Sequence, residues 1–393
     1  MLQQRGISFI NYSIINHGEL PMTEPPPIPG QVIHEGQGRI FPCEECGADL
    51  KFHIGDQKLK CPYCGAVKEI ELKDDAEIRE QNFNEMLEVL QKRRESQEEV
   101  PAEHNEVRCE SCGSNVLFQG TLTSTECPYC GSPLQREKIH RGGFRIPVDA
   151  VLPFKVDSRK VEVKIVEWVK SRWFAPNDFK KRGAEGRVNG AYLPFWTFDT
   201  LTFTAYTGER GENYTETVGI GDKKRTVTKT RWYSADGKFQ RFFDDVLING
   251  SRSMVDTHID ELSPWPLQDC LPFTPEVLAG HFARTYDIEL AEAFPIAKKI
   301  IDSAIYSDCK NRIGGDEQRV HSVKSRYDAI TFKHVLLPVY TMVYRYKEKS
   351  YGVMVNAATG AVHGSRPYSW VKITLTLLSV IALGLTFAAI ANS

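Results

Sequence analysis

Apolar positions along this chain change their period several times, and each change marks a different kind of element. Between residues 74 and 99 they recur loosely at helical spacing, through Ile78, Phe83, Met86, Leu87 and Leu90. Asp74 and Asp75 suit the start of that helix, Lys92, Arg93 and Arg94 suit its end, and Val100-Pro101 stops it. The stripe is too short for sustained heptads, so a spacer helix packed on a neighbouring domain is expected rather than a coiled coil. A second helix over residues 158–172 presents Val161, Ile165, Trp168 and Val169 on one face.

From Leu193 the period drops to two. Aromatic and polar residues alternate to Tyr206, and further strands are expected over residues 214–220, 225–234 and 238–248, with Ala235-Asp236-Gly237 as a turn. Such a series reads as an antiparallel meander. Helical signals then return: Thr274 as a cap with Pro275 at the first position, and a longer helix from Asp287 to about Ser307, kinked at Pro295. Strands over residues 332–346 and 350–356 follow, then a turn through Thr359-Gly360. Leu152-Pro153-Phe154 and Leu193-Pro194 are echoed by Leu271-Pro272-Phe273 and Leu337-Pro338, which suggests two related α+β halves, residues 144–262 and 263–369.

The last regime is continuous. Residues 373–390 carry no charge, and as a helix they span roughly 27 Å, close to the ~30 Å hydrocarbon core of a bilayer. Tyr368 and Trp370 stand where an interfacial aromatic belt belongs, with Arg366 and Lys372 on the same side. A single-pass span in the cytoplasmic membrane is expected, with everything before it, the N-terminus included, in the cytoplasm. Thr374, Thr376, Ser379 and Thr386 lower the hydrophobicity and are candidates for contacts with another helix.

Cysteine spacing adds what periodicity does not. Cys43, Cys46, Cys61 and Cys64 form two Cys-x-x-Cys-Gly pairs 14 residues apart, and Cys109, Cys112, Cys127 and Cys130 repeat the pattern 66 positions later. That is zinc-ribbon spacing. Zn²⁺ takes four ligands at tetrahedral corners, and each Cys-x-x-Cys turn supplies one edge. The glycine after each pair permits the left-handed backbone that wraps the metal. The few apolar residues between pairs, Leu50, Phe52, Ile54 and Leu59 in the first copy, cannot form a core, so two structural zinc ions are expected to hold the modules. Cys-Pro-Tyr-Cys is also a redox dithiol motif, but that chemistry wants a helix N-terminus in a βαβ setting, which the pattern lacks. Cys270 and Cys309 fall outside the pattern and read as buried or inert.

Net charge is −2 over the 393 residues, so nothing steers the whole chain to nucleic acid. Five positive residues near the first ribbon (Arg39, Lys51, Lys58, Lys60, Lys68) face six negative ones. Around the second ribbon Arg108, Arg136 and Lys138 balance Glu110, Glu126 and Glu137. Four thiolates on a dication add negative charge at each site. Protein docking is favoured over a phosphate backbone. His281, His321 and His334 have no metal-ligand spacing and read as structural. Asp244-Asp245 is a paired carboxylate, but neighbours on a strand point to opposite faces. No phosphate-binding Gly-rich loop is present, and no catalytic set emerges.

The fold class is therefore multi-domain: two small rubredoxin-like zinc ribbons, a larger α+β domain with an antiparallel sheet, and one C-terminal transmembrane helix. The expected order is a disordered segment (1–38, with the Pro25-Pro26-Pro27 linker), ribbon one (39–72), linker helix (73–101), ribbon two (102–140), central domain (141–369) and span (370–393). Residues 8–15 lack a cleavage site for a signal peptide, and Met22 is an alternative start.

The whole pattern resembles a bacterial family of tandem zinc-ribbon membrane proteins. The resemblance rests on the ribbons together with Leu336-Leu-Pro-Val-Tyr340, Tyr344-Arg-Tyr-Lys347, Val355-Asn-x-x-Thr-Gly360 and Gly364-Ser-Arg-Pro-Tyr-Ser369. Such proteins are often labelled primosomal protein N-prime-like, a label that fits the ribbons alone because the helicase motor motifs are missing here. The resemblance implies the eight cysteines as zinc ligands and an association with phage-shock protein A-like and flotillin-like membrane-stress proteins. A non-enzymatic adaptor at the membrane is the leading expectation, with homo-oligomerisation left open. The alternative is a membrane-tethered nucleic-acid-binding protein linked to replication.

Overall fold

A computed structural model of the chain describes residues 43–48, 50–53, 58–70, 78–96, 105–109, 115–118, 124–127, 133–135, 139–141, 145–182, 188–219, 224–252, 259–347 and 349–391. The expected disordered segment 1–38 and the caps Asp74 and Asp75 lie outside the described residues. In the first cysteine copy, β1 (Lys51–His53) and β2 (Lys58–Lys60) form an antiparallel hairpin, and β3 (Val67–Lys68) adds to β2. Then come β4 (Gln81–Asn82) and α1 (Phe83–Ser96). The second copy contributes β5 (Asn105–Arg108), β6 (Asn115–Phe118), β7 (Ser124–Glu126), β8 (Pro133–Gln135) and β9 (Ile139–Arg141), paired β6-β5-β9 and β7-β8.

The body begins with β10 (Ala150–Val151), α2 (Ser158–Ser171) and α3 (Asn177–Arg182). The strands β11 (Val188–Val218) and β12 (Arg225–Asn249) follow, then the short β13 (Leu271–Pro272) and β14 (Phe282–Ala283). A 24-residue helix α4 (Leu290–Ile313) leads into β15 (Glu317–Tyr346), β16 (Lys349–Asn356), β17 (Val362–Gly364) and finally α5 (Trp370–Ala391). One nine-stranded sheet has the path β12-β11-β15-β10-β13, with β4, β14, β16 and β17 attached to it.

The meander expected from alternation is replaced by two long strands. Ala235, Asp236 and Gly237 sit inside β12, opposite Gly208, Thr207 and Tyr206. Gly237 is there for space, because a Cβ would stand 2.7 Å from the Tyr206 hydroxyl. Its composition matches a turn, but its tertiary neighbour is a ring lying on the sheet. β15 likewise starts at Glu317, well before the expected residue 332.

Pro275 opens only a short 3₁₀ turn (Pro275–Leu278), and Thr274 makes no side-chain cap there. Asp287 does not cap α4 either; its carboxylate holds the fully buried Arg284 at 2.5 Å. The helix runs through Pro295 and past Ser307 because Leu290, Ala293, Ala297, Ile301, Ile305, Cys309 and Ile313 keep one buried stripe, and Gly314 at φ 65 ends it.

The C-terminal part of that stripe, Ile301, Ile305, Cys309 and Ile313, lies along the distal part of the long strands, against Tyr206, Phe239, Phe243, Val320, Val323 and Tyr327, while Leu290, Ala293 and Ala297 pack with Trp196, Phe198 and Phe332. Arg241 pairs with Asp308 at 2.9 Å, and the Tyr327 hydroxyl donates to Asp302 at 2.5 Å. The proximal part belongs to the main core. The four Leu-Pro motifs converge there: Leu193 opposes Leu337, Pro194 opposes Leu336, and Val151 opposes Leu271. Strands from the two sequence halves thus share one sheet.

Between the ribbons, Asn82 caps α1 by accepting from the amides of Asn84 and Glu85. Phe83 is buried, and Met86, Leu87 and Leu90 pack with it against Trp196, Phe198 and Phe332 of the body. The spacer-helix reading describes this contact.

Candidate metal centre

In the first copy both Cys-x-x-Cys pairs form the same turn. The amide of Cys43 donates to Ala48 O and that of Gly47 to Cys43 O; the amide of Cys61 donates to Ala66 O and that of Gly65 to Cys61 O. Gly47 and Gly65 take φ of 71 and 78, the left-handed conformation their spacing predicted. The four sulfurs of Cys43, Cys46, Cys61 and Cys64 lie within 4.8 Å of one another, and the Cys43–Cys64 and Cys46–Cys61 separations are both 3.5 Å. Tetrahedral Zn–S bonds of about 2.3 Å imply sulfur–sulfur edges of about 3.8 Å, so the donor set fits such an ion. The thiols compete for ionisation. Amide donation from Cys64 pulls the Cys61 thiol down to about 6. The Ala66 amide favours the Cys64 thiolate too, but desolvation and the other sulfurs outweigh it and push that thiol up to about 12. A dication is the partner that lets all four ionise together.

Cys61-Pro-Tyr-Cys64 is followed by strand β3 and not by a helix, so the setting a redox dithiol uses is missing from this turn. In the second copy Cys109 and Cys127 are buried, while Cys112 and Cys130 lie outside the described residues. Neither cysteine copy is a free module. Cys43, Leu50, Leu59 and Cys61 join the core cluster of Val161, Trp168 and Leu278, and Cys109 and Cys127 join that of Leu262, Trp265 and Leu337. Lys51 packs 3.1 Å from where a Cβ of Gly280 would stand. Leu50 and Leu59 are thus spent on docking.

A second cluster lies in the body and overturns one expectation. Asp199, Asp244 and Asp245 bring carboxylate oxygens within 4.8 Å of one another, although Asp244 and Asp245 are neighbours on β12. The pairing runs Phe198 with Val246 and then Thr200 with Phe243, so both aspartates oppose the single residue Asp199. Asp245 absorbs the extra residue at φ 49. This bulge defeats the alternation rule. On the other side of β11, β15 carries its own bulge at the same level, with Ala329 at φ 50.

Lys333 enters the cluster at 2.8 Å from Asp245, 3.6 Å from Asp199 and 3.4 Å from Glu80. Burial pushes Asp199 up to about 6, even with the Asp245 amide donating to it. Burial pulls the Lys333 ammonium down, but the bond to Asp245 and the charges of Asp199 and Glu80 outweigh it and hold the group above the lysine range. Glu80 also accepts from Thr331, so the cluster fastens the segment before α1 to the sheet. Sequence patterning missed Asp199, Lys333 and Glu80, and only the Asp-Asp pair hinted at them.

Among the described residues neither candidate metal-ligand group includes a histidine. His281 stacks on Phe154 at 3.9 Å, and burial lowers it to about 4. His334 is buried against Trp196 and Tyr286 with Nδ1 on the carbonyls of Ile146 and Pro147, and burial lowers it to about 4 as well. His321 lies on the surface, 3.5 Å from Glu209. Cys309 is buried as expected, whereas Cys270 is only half-buried, with its thiol pushed up to about 12 by desolvation.

α5 is long and apolar enough to cross a membrane, and its window Trp370–Phe387 has no residue buried against the body. The hydroxyls of Thr374, Thr376, Ser379 and Thr386 donate to carbonyls of their own helix, namely Trp370, Lys372, Leu375 and Leu383.

No family model matches the chain, and no solved structure matches it. An uncharacterized protein of Bacillus subtilis (strain 168), YdjG, is similar to it, 24% identical over 325 residues that cover 68% of this chain and 91% of the relative.

Proposed function

We propose that the chain is a membrane-anchored adaptor held by α5, with two structural zinc ions shaping ribbons that display protein-docking surface on the cytosolic side. The observation that carries this reading is the pairing of a bare apolar α5 with a four-sulfur cluster whose buried edge is docked. Cys43 and Cys61 face the body, while Cys46 and Cys64 stay exposed beside Tyr63, which is 83% exposed. A ribbon so placed has a fixed orientation and an outward edge for a partner. The partners implied by the family resemblance are phage-shock protein A-like and flotillin-like proteins. Arg366 and Lys372 at the foot of α5 favour a cytosolic body.

Three measurements test the proposal on the full chain. Elemental analysis should find close to two zinc ions per chain. The protein should resist alkaline carbonate extraction from membranes. Detergent-solubilised protein should co-purify a phage-shock protein A-like or flotillin-like protein, and lose it in a Tyr63→Ala variant that keeps its zinc. Release by carbonate, or zinc far below two, sinks the corresponding half of the reading.

A second reading has one observation in its favour. On the sheet face away from α4, Lys238, Lys324 and Arg326 surround Phe203 in a shallow groove, cations and a ring of the kind that bind single-stranded nucleic acid. Steeply salt-dependent binding of single-stranded DNA, lost in Phe203→Ala, would favour a membrane-tethered nucleic-acid-binding protein.

A further inference from the structure

The turn between α2 and α3 is tied to the foot of α5. Phe174 O accepts from the Ser369 amide at 2.8 Å, and Lys372 Nζ donates to the carbonyls of Ala175 at 2.8 Å and Trp173 at 3.1 Å. Lys372 stands in the first turn of α5, one residue before the uncharged stretch. The turn therefore lies at the level where headgroups meet hydrocarbon once α5 is inserted. Three large rings are exposed there: Trp173 at 71%, Trp370 at 77% and Tyr368 at 57%. Amphipathic rings of this kind favour the membrane interface.

Two guanidiniums share the place. Arg172 lies over the Trp168 ring at 5.1 Å, and Arg366 over the Tyr368 ring at 5.3 Å. Among the described residues neither makes an ion pair with a carboxylate; Arg172 Nε donates to Trp168 O and Ser171 Oγ, and Arg366 Nε is buried without a hydrogen-bond acceptor. Desolvation and then the charge of Arg366 lower the Arg172 guanidinium, so the two cations lie near one another. A phosphate group would offset both positive charges.

We propose that Arg172 and Arg366, flanked by Trp173, Tyr368 and Trp370, form a docking surface for the phosphate headgroups of anionic phospholipid at the foot of α5. This rests on the reading that α5 spans the bilayer. The surface would press the body against the membrane and fix its tilt, where a lone helix would leave it swinging.

The test uses the full chain in nanodiscs of phosphatidylcholine containing a minority of phosphatidylglycerol. Lipid retained after detergent exchange is counted by mass spectrometry. The expected result is several-fold enrichment of phosphatidylglycerol, lost in an Arg172→Gln/Arg366→Gln double variant and partly kept in the Lys/Lys double variant. Bromine placed near the headgroup should quench tryptophan emission, and Trp173→Phe should remove part of that quenching. Equal enrichment in the Gln/Gln variant, unchanged quenching in Trp173→Phe, or displacement of the lipid by millimolar inorganic phosphate would overturn the proposal. Carbonate extraction of the same protein separates the two claims. If the chain washes off, the span fails and this surface with it; if it stays while enrichment ignores the arginines, only this surface fails.

Discussion

Lys333 on β15 reaches across β11 to place its ammonium 2.8 Å from the carboxylate of Asp245 on β12. The contact spans three strands at the level where both outer strands bulge against the central one. It marks the joint between the core half of the sheet and the distal ends of the long strands packed on α4. The side chains of Lys333 and Asp199 are 13% and 1% exposed while those of Asp245 and Glu80 keep 32% and 43%, so the inner half of the cluster is shielded from water and the outer half is not.

Removing the lysine therefore leaves the buried Asp199 carboxylate without its cation. Lys333→Met should destabilise the chain by about 1–3 kcal/mol, measured by chemical denaturation in detergent. It should also release the segment at Glu80, which hydrogen exchange at β4 and the start of α1 would read. A loss within experimental error would show the cluster to be surface-like.

Asp199 sets a pH dependence. Its ordinary value of 3.8 is raised to about 6 in the folded chain. The folded state then holds the proton more tightly than the unfolded one, so Asp199 is neutral and harmless below 3.8. Its cost grows as pH rises towards 6 and is complete above. Asp199→Asn, which keeps an acceptor for the Asp245 amide, should gain stability relative to the parent at pH 7.5 and lose that advantage at pH 4. An advantage independent of pH would contradict the assignment.

Gly208 of β11 lies against the end of α4. A Cβ there would stand inside the contact radius of the Arg319 carbonyl oxygen and 2.7 Å from Ile313 Cδ1. Gly208→Ala should cost about 1–3 kcal/mol, with Ile313→Ala unable to rescue it because the carbonyl remains. Melting of the single and double variants decides this.

The first cysteine cluster predicts a coupled loss. Cys61→Ser should remove one zinc ion by elemental analysis. Because Leu50 and Leu59 dock on the Trp168 cluster, it should also raise hydrogen exchange around α2. Loss of metal with α2 unchanged would mean that the ribbon docks without its ion.

Much of the local chemistry could be read from residue order. A Cys-x-x-Cys-Gly turn is a five-residue object, and its ligand geometry and glycine conformation follow from neighbours in the chain. The same holds for α2, whose apolar residues repeat at helical spacing, and for α5, whose eighteen uncharged residues need no partner to be recognised. Long-range relationships were hidden. Ala235-Asp236-Gly237 has turn composition yet lies within β12, because Tyr206 needs the room. Asp244 and Asp245 converge because a bulge cancels alternation, and nothing in their own neighbourhood announces Asp199 or Lys333 as partners. Periodicity reports what a residue does within its own element. Register, bulges and the docking of one element on another depend on which strand arrives alongside, and that is settled only when distant segments compete for the same buried space.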